Sequence, residues 1–341
     1  MIPWLLVAGL VTAACLAWSI GANDMANSTS ILVGSNVLKF KHAFMLFLTF
    51  QLMGAMVQGY MVMKTLGKGI VPEIEVVGAL SASLSAFIWI TIATVIGAPI
   101  STTHSVTGAV IGVGLAYVFS GAPATTINIY RVRDIILSWI ISPVAAMVLT
   151  VPLYHILRNL KITSERGYKI VRALVLFFAA FAAYSFGAND VANATGVYVS
   201  VTSASFGLPS EDSMRLLALY ASLFIGLGGF TLGYRVINTL AYKVTRLDLM
   251  TALAAGFANA FTVWLFTTVP YLLFGYGLPI STTYVAAGSI VGVGLAKSGW
   301  RGVNVRTVFF IITSWLLTLP IAAGLSLCIY YLVSYILGVG F

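Results

Sequence analysis

The sequence has few charged residues for its length of 341 residues. Charged side chains make up 8% of the chain and hydrophobic ones 60%, and the mean hydropathy is +1.01. Soluble domains are about 45–50% apolar and about 25% charged, so this chain has too little polar surface to be a soluble protein. The scarcity of charge therefore excludes soluble enzymes and nucleic-acid-binding proteins, and it predicts an all-α polytopic membrane protein.

Cysteine is also scarce, since Cys15 and Cys328 are the only two. Both lie in apolar runs and form no metal-binding pattern, and we expect no disulfide between them. The first apolar run, residues 2–18, has no Lys or Arg before it and so lacks the basic segment of a secretory signal. Residues 12–15 (Thr-Ala-Ala-Cys) faintly resemble a lipoprotein cleavage site. We expect neither kind of processing, because this segment belongs to a repeat.

Two polar motifs each occur twice along the chain. Residues 19–27 return at 185–193, with Gly-Ala-Asn-Asp-Met-Ala-Asn in the first copy and Gly-Ala-Asn-Asp-Val-Ala-Asn in the second. Pro-Ile-Ser-Thr-Thr occurs at 99–103 and again at 279–283, and both copies run on to Gly-Val-Gly-Leu-Ala. Chance similarity between apolar stretches does not reproduce polar motifs in the same order, so we infer a duplicated half.

The duplication divides the chain into three parts. They are an N-terminal membrane repeat (1–157), a short basic linker (158–172) and a C-terminal membrane repeat (173–341). Because cytoplasmic loops carry an excess of Lys and Arg, we place the linker in the cytoplasm.

Single crossings at 43–63, 132–157 and 214–234 then fix the sides of the remaining loops. Of the 18 Lys and Arg residues, those that fall outside are Lys64, Lys68, Arg131, Arg133 and Arg215. The majority that falls inside agrees with the positive-inside rule. The sequence therefore predicts repeats of inverted topology in a multi-pass protein of the cell membrane, with both termini extracytoplasmic.

Two stretches of the first half do not fit simple spanning helices. Residues 3–38 make one net crossing, although about 20 residues suffice for a bilayer, and the Asn-Asp motif lies in their middle. Residues 76–121 start and finish on the same side, and the second half repeats both features at 171–204 and 247–297. We therefore predict a broken helix and a re-entrant helical hairpin in each half. Interrupted segments at corresponding positions of two halves indicate the binding site of a transporter.

Only two of the nine acidic residues, Asp24 and Asp190, lie deep within apolar segments. A charged side chain at the bilayer centre costs roughly 2.5–3.5 kcal/mol on insertion scales, and no Lys or Arg lies nearby to compensate. A bound cation is the natural partner, because neighbouring amide oxygens complete the all-oxygen environment that Na⁺ prefers. The candidate Na⁺ ligands are Asn23, Asp24, Asn27, Asn189, Asp190 and Asn193. The alternative is a neutral aspartate hydrogen-bonded to asparagine in a packed helix interface.

The Pro-Ile-Ser-Thr-Thr motif has the composition of an anion-binding helix start. Proline suits the first turn of a helix, and serine and threonine offer hydroxyls beside unpaired backbone N–H groups that bind phosphate. Two such tips meeting near the midplane would hold a tetrahedral oxyanion, with Na⁺ supplying countercharge. The candidate residues are Ser101, Thr102, Thr103, Ser281, Thr282 and Thr283. The alternative is an N-cap that only satisfies its own helix.

Two other function classes compete with a transporter. An intramembrane enzyme would use the two aspartates as an acid–base pair, but such pairs need unequal environments, and both aspartates have the same asparagine neighbours. No His-Glu-x-x-His zinc motif occurs either, so we expect no enzyme and no cofactor, with Na⁺ serving only as a coupling ion. A passive channel is weakly disfavoured, because deep carboxylates favour binding over free flow. For His104, which follows the first tip, we expect a solvated or hydrogen-bonded side chain.

The paired Gly-Ala-Asn-Asp motifs and the duplicated Pro-Ile-Ser-Thr-Thr segments resemble those of the inorganic phosphate transporter family over nearly the whole chain. The resemblance implies a secondary transporter that moves inorganic phosphate with a cation, Na⁺ in many members and H⁺ or metal–phosphate in others. By that likeness the Asn-Asp motifs serve the ions and the two tips hold phosphate. Because the family includes sulfate transporters, the alternative is an H⁺-coupled phosphate or a sulfate transporter of the same fold. The resemblance and the apolar surface also allow a homodimer within membrane lipid.

Overall fold

The computed structural model describes residues 3–63, 70–71, 74–160, 162–206, 210–275 and 277–338. Within these ranges the chain forms ten long α-helices and no strand. The helices are α1 (Pro3–Gly34), α2 (Phe40–Gln58), α3 (Val76–Ile96), α4 (Thr102–Phe119), α5 (Ile129–Asn159), α6 (Glu165–Phe206), α7 (Glu211–Tyr242), α8 (Leu249–Phe274), α9 (Thr282–Ser298) and α10 (Val305–Leu337).

The second five helices repeat the order of the first five. In each half, two long helices are followed by a helical hairpin, a short 3-10 turn and a final long helix, and the turns lie at Ala124–Thr126 and Gly299–Gly302. Of the helices described, nine are long and apolar enough to cross a membrane by length and composition. The prediction of an all-α polytopic membrane protein is thereby confirmed.

The broken helices predicted at the Asn-Asp motifs are absent. Both α1 and α6 run without interruption through residues 21–27 and 187–193. The motif contains no proline, and a glycine inside a helix costs only about 1 kcal/mol relative to alanine. The 32 residues of α1 span about 48 Å at 1.5 Å per residue, so a tilted helix accounts for the long segment without any break.

The helical hairpins predicted after these helices are present as α3–α4 and α8–α9. Gly97 ends α3 in the left-handed conformation (φ 79°), and Gly275 ends α8 in the same way (φ 78°). Ser101 and Ser281 then start the returning helices as N-cap residues. Because the backbone of the described tip residues is buried within the protein, the hairpins insert their tips into the centre of the molecule.

Close helix crossings join the two halves. The helix α1 packs against α7 and α2 packs against α6, with glycines at the points of contact. A Cβ atom at Gly21 or Gly228 would overlap a backbone carbonyl oxygen of the facing helix, and the same holds for Gly54 and Gly187. Small residues let membrane helices approach closely, so the halves interlock rather than form separate bodies.

Large apolar side chains cover the outside of the bundle, particularly on α2, α5 and α10, as at Met45, Ile140 and Leu316. In a membrane this surface faces lipid. Polar side chains are concentrated inside, on α1, α6 and the hairpin tips. The fold therefore directs its polar groups toward one central region.

Candidate functional site

Both Asn-Asp motifs and both hairpin tips meet at the centre of the molecule. All twelve residues predicted from the sequence to bind ions or phosphate are buried there, and none is more than 3% exposed. They are Asn23, Asp24, Asn27, Ser101, Thr102, Thr103, Asn189, Asp190, Asn193, Ser281, Thr282 and Thr283. Residues far apart in sequence are thus brought into one cluster, which we call the central cluster.

The two hairpin tips contact each other through reciprocal hydrogen bonds. The Thr103 hydroxyl donates to the carbonyl of Ile280 at 3.0 Å, and the Thr283 hydroxyl donates to the carbonyl of Ile100 at 3.0 Å. The equivalent residues of the two repeats therefore exchange the same bond, and each tip is closed against the other.

The first Asn-Asp motif contacts both tips. Asp24 accepts a hydrogen bond from Thr102 at 2.6 Å, and it lies 3.2 Å from the Thr283 hydroxyl, whose single hydrogen is shared with the Ile100 carbonyl. The Asn27 amide donates to Thr282 at 3.2 Å and to Thr283 at 3.1 Å. A single turn of α1 is therefore bonded to the tip of its own half and to the tip of the other half.

The second motif is bonded in a related pattern. The Asn193 amide donates to Thr103 at 3.1 Å, to Thr102 at 3.5 Å and to the Asp190 carboxylate at 2.9 Å. The Asn189 amide donates to the carbonyl of Ile280 at 3.0 Å. Each motif thus contacts both tips.

Two side-chain amide oxygens beside Asp24 are available to bind a ligand. The Asn23 amide group donates to Thr94 at 2.9 Å and to the carbonyl of Ala98 at 3.0 Å. Within the described part of the chain, Oδ1 of Asn23 and Oδ1 of Asn27 are buried without a hydrogen-bond partner. Buried polar atoms are nearly always satisfied, so two orphaned oxygens beside a carboxylate fit a hard cation.

The central cluster holds two carboxylates and no basic side chain among the residues described. The ion pairs among the described residues lie at the protein surface instead. They join Arg133 to Asp134, Lys169 to Glu165, and Lys297 to Asp248. Burying a charge is costly unless it is paired, so Asp24 and Asp190 require cations or protons as partners.

The serines of the two tips cap their own helices. Ser101 Oγ accepts the backbone N–H of His104 at 3.2 Å, and Ser281 Oγ accepts that of Tyr284 at 3.2 Å. This is the N-cap arrangement considered as the alternative for these segments. The starts of α4 and α9 nevertheless lie in the central cluster, where the N–H groups of a first helical turn lack intrahelical partners.

Four aromatic rings are stacked beside the tips, one from each of α4, α5, α9 and α10. His104 stacks on Trp139 with 3.2 Å between ring centroids, and Tyr284 stacks on Trp315 with 3.6 Å between centroids. A hydrogen bond of 3.0 Å between Tyr284 Oη and His104 Nε2 joins the two pairs. His104 is therefore a buried, hydrogen-bonded residue, as expected from the sequence.

The last helix of each half supports the tip of the other half. Trp315 on α10 donates its indole N–H to the carbonyl of Pro99 at 2.9 Å. Ser138 on α5 donates to the carbonyl of Pro279 at 3.3 Å. Both residues belong to Ser-Trp pairs, which occur at 138–139 and 314–315, but the tryptophan of one pair and the serine of the other make the bonds, and the pairing across the halves is a property of the fold.

Several polar residues of the hairpins join the central cluster without having been predicted. Thr267 on α8 donates to Asn189 Oδ1 at 3.4 Å, and Asn259 on the same helix donates to the backbone carbonyl of Asn27 at 2.8 Å. A polar side chain in an otherwise apolar helix is the signal that could have found them.

Comparison with known proteins adds an independent observation. A model of the phosphate transporter family matches residues 20–326. A candidate phosphate permease of Pyrococcus abyssi is 30% identical over 99% of this chain and 100% of its own length, and one of Thermococcus kodakarensis is 31% identical over 96% and 97%. A solved structure described as the sodium-dependent phosphate transporter matches with a TM-score of 0.83 and 28% identity, covering 97% of this chain and 99% of its own.

Proposed function

The chain belongs to the phosphate transporter family, and we propose that it imports inorganic phosphate by symport with Na⁺ across the cell membrane. Members of this family are transporters, and the protein is not an enzyme. Its apolar helices make it an integral membrane protein. The choice of Na⁺ is supported by the donor atoms of the central cluster and by the name of the similar solved structure.

A single observation carries the proposal: each Asn-Asp motif is hydrogen-bonded to both hairpin tips. Cation ligands and anion-binding groups therefore occupy one buried cluster. A cation at the carboxylates lowers the electrostatic cost of burying phosphate at the tips, and phosphate lowers the cost of burying the cation. Cotransport follows from this mutual stabilisation.

Each ion has a proposed set of ligands. Na⁺ would be held by the carboxylates and amide oxygens of Asn23, Asp24, Asn27, Asn189, Asp190 and Asn193. Phosphate would be held between the starts of α4 and α9, where unpaired N–H groups and the helix dipole favour an anion. The residues proposed there are Ser101, Thr102, Thr103, Ser281, Thr282 and Thr283.

The tip-to-tip hydrogen bonds limit how phosphate can enter. Thr103 and Thr283 now donate to carbonyl groups of the opposite tip. For these hydroxyls to bind phosphate oxygens, both bonds have to open. We infer that phosphate binding separates the tips, which is the kind of local change that alternating access requires.

The proposed transport cycle moves two repeats of inverted topology, 1–157 and 173–341, around the central cluster. Both chain termini would lie outside the cytoplasm, and the basic linker at 158–172 would lie inside. The exposed apolar faces are compatible with a homodimer in membrane lipid.

The buried carboxylates also favour phosphate over sulfate. Phosphate near neutral pH still carries a proton and can donate a hydrogen bond to a carboxylate, whereas sulfate cannot and would be repelled. A proton on Asp24 or Asp190 could replace Na⁺ as the coupling ion, because the carboxylates need only a positive partner. H⁺-coupled phosphate transport, or sulfate transport, is therefore the alternative that the experiment has to separate.

The direct test is uptake of labelled phosphate into liposomes that contain the purified protein. We expect uptake under an inward Na⁺ gradient, none under a proton gradient alone, and no competition by excess sulfate. Asp24→Asn and Asp190→Asn should each abolish uptake, whereas Asp212→Asn should not, because Asp212 is exposed at the start of α7. Uptake on the proton gradient alone, or sulfate carried instead of phosphate, would contradict the proposal.

A further inference from the structure

A polar cavity lies at the other end of α9 from the central cluster. Its volume is about 640 Å³, and it is lined by the end of α7 and the loop that follows it, the end of α9, and the 3-10 turn with the two residues before α10. Four of its lining side chains are basic: Lys243, Arg246, Lys297 and Arg301. We call this cavity the basic pocket.

The walls of the basic pocket are fixed by contacts outside any helix. The Thr245 hydroxyl donates to the carbonyl of Gly302 at 2.6 Å, and the N–H of Asn304 donates to the carbonyl of Val244 at 2.9 Å. At Gly302 a Cβ atom would overlap the carbonyl oxygen of Gly294 on α9. The 3-10 turn that carries Arg301 is therefore held against α9, and the cavity exists before any ligand binds.

The basic charges of the pocket are only partly compensated. Lys297 pairs with Asp248 at 2.5 Å. Burial raises the pKa of Asp248, but the hydrogen bonds from Lys297 and from the backbone of Thr251 outweigh this effect and hold the pKa below its usual value. Throughout the described residues, neither Lys243, Arg246 nor Arg301 takes part in an ion pair.

The repeat shows that the fold does not require a cation at two of these positions, Lys297 and Arg301. Lys297 and Tyr117 both follow the Gly-Val-Gly-Leu-Ala segment, and four residues further on Arg301 corresponds to Gly121. At these two positions the first half thus carries no cation, whereas its loop corresponding to Lys243 and Arg246 contains Lys64 and Lys68. The positive-inside rule accounts for basic residues on this side of the membrane, but it does not account for their placement around a cavity with fixed walls.

We propose that the basic pocket binds a phosphate-bearing anion, either inorganic phosphate or the phosphate of an anionic lipid headgroup. Arginine presents a planar set of donors that matches phosphate oxygens in pairs, and three uncompensated cations suit a doubly charged group. The 17 residues of α9 span about 25 Å, so this site is separate from the central cluster. It is also independent of the proposed Na⁺ symport.

Binding in the absence of Na⁺ tests this proposal with two probes. The first is labelled inorganic phosphate, added to the purified protein in choline chloride. The second is labelled phosphatidic acid, supplied in phosphatidylcholine nanodiscs that contain the protein. The probe that saturates at one per chain identifies the source of the anion.

Matched variants separate the basic pocket from general surface charge. R246Q/R301Q should weaken binding at least about tenfold, since each charge-assisted bond contributes strongly, while R246K/R301K should recover part of it. K39Q/K41Q removes two exposed cations elsewhere and should leave binding unchanged. A thermal unfolding midpoint in detergent equal to that of the wild type would show that R246Q/R301Q is folded. Binding of neither probe to the wild type, or equal binding to R246Q/R301Q, would overturn the proposal.

Discussion

Asp24 and Asp190 occupy equivalent places in the two motifs, but their surroundings differ. Asp24 accepts hydrogen bonds from hydroxyls of both tips, whereas Asp190 accepts the amide groups of Asn193 and Asn189 at 2.9 and 3.4 Å. The amide oxygens differ as well. Oδ1 of Asn23 has no partner among the described residues, while Oδ1 of Asn189 accepts bonds from Thr267 and from the backbone of Ile280, both at 3.4 Å.

This difference predicts two unequal cation sites. Asn23→Ala removes an oxygen that is free to bind Na⁺, so the Na⁺ concentration for half-maximal phosphate uptake should rise about tenfold, corresponding to about 1.4 kcal/mol. Asn189→Ala removes an oxygen that already accepts hydrogen bonds from the protein, so it should raise this Na⁺ concentration less. The measurement is the Na⁺ dependence of initial uptake rates in proteoliposomes. Equal effects, or a larger effect at Asn189, would contradict the unequal assignment.

At the residue scale the sequence indicated which residues lie in the central cluster, but it did not indicate which residues they contact. The two aspartates and the tip threonines were identifiable because polar residues are rare in apolar segments. The stacking of His104 on Trp139 and the hydrogen bond from Trp315 to the Pro99 carbonyl could not be predicted from the sequence. They join residues of different helices, and no local pattern encodes such pairings.

At the scale of elements, the glycine of each Asn-Asp motif serves helix packing. Gly21 lies against the carbonyl of Ile225 on α7, and Gly187 lies against the carbonyl of Gln51 on α2. The motif therefore combines a close crossing with a cation-binding turn on one stretch of helix. This arrangement ties the position of Asp24 to the packing of α1 against the other half.

Replacement of Gly21 by alanine should consequently destabilise the protein. The added Cβ atom would overlap backbone that cannot move independently, and overpacking of this kind costs about 1–3 kcal/mol or more. Gly324→Ala is the matched control, because nothing lies within 4 Å of a Cβ atom at Gly324 and alanine favours a helix over glycine. Thermal unfolding in detergent should show a lower midpoint for Gly21→Ala and an unchanged or higher one for Gly324→Ala. A midpoint for Gly21→Ala equal to that of the control would refute the close-crossing role.

The unbroken α1 and α6 show where reasoning from element length fails. A 36-residue segment with a polar centre was interpreted as two half-helices, because spanning a bilayer needs only about 20 residues. The structure instead satisfies the polar side chains through neighbouring tips and keeps the backbone helical. The hairpins were predicted correctly, because the serine of each Ser-Thr run is an N-cap residue that marks a helix start through local chemistry; Pro99 and Pro279 lie two residues before these N-caps and not in the first helical turn, where they were expected.

At the scale of the whole molecule, every tip depends on both halves. Trp315 and Ser138 support the tip of the opposite half, and the closest helix crossings also join opposite halves. The two repeats proposed at 1–157 and 173–341 therefore exchange supporting contacts, and a transport cycle that moves them relative to each other has to break and remake these contacts. The repeat was predictable from two duplicated motifs, whereas the interlocking was not, because it requires contacts between distant segments.

The predicted orientation in the membrane can be tested by cysteine labelling in intact cells. With Cys15 and Cys328 replaced by serine, Glu211→Cys at the start of α7 should react with a membrane-impermeant thiol reagent. Lys39→Cys, just before α2, should react only after the cells are permeabilised. The reverse pattern would invert the topology assigned from the distribution of Lys and Arg.

Mutual stabilisation of Na⁺ and phosphate in the central cluster is tested most directly by binding at equilibrium. Phosphate affinity should be measured on the purified R246Q/R301Q variant, once in Na⁺ and once with Na⁺ replaced by choline at constant ionic strength. Na⁺ affinity should be measured on the same variant with and without phosphate. Na⁺ should tighten phosphate binding about 5- to 150-fold, and phosphate should tighten Na⁺ binding by the same factor, because coupling between sites is reciprocal. A phosphate affinity that does not change with Na⁺ would contradict a shared site for the two ions.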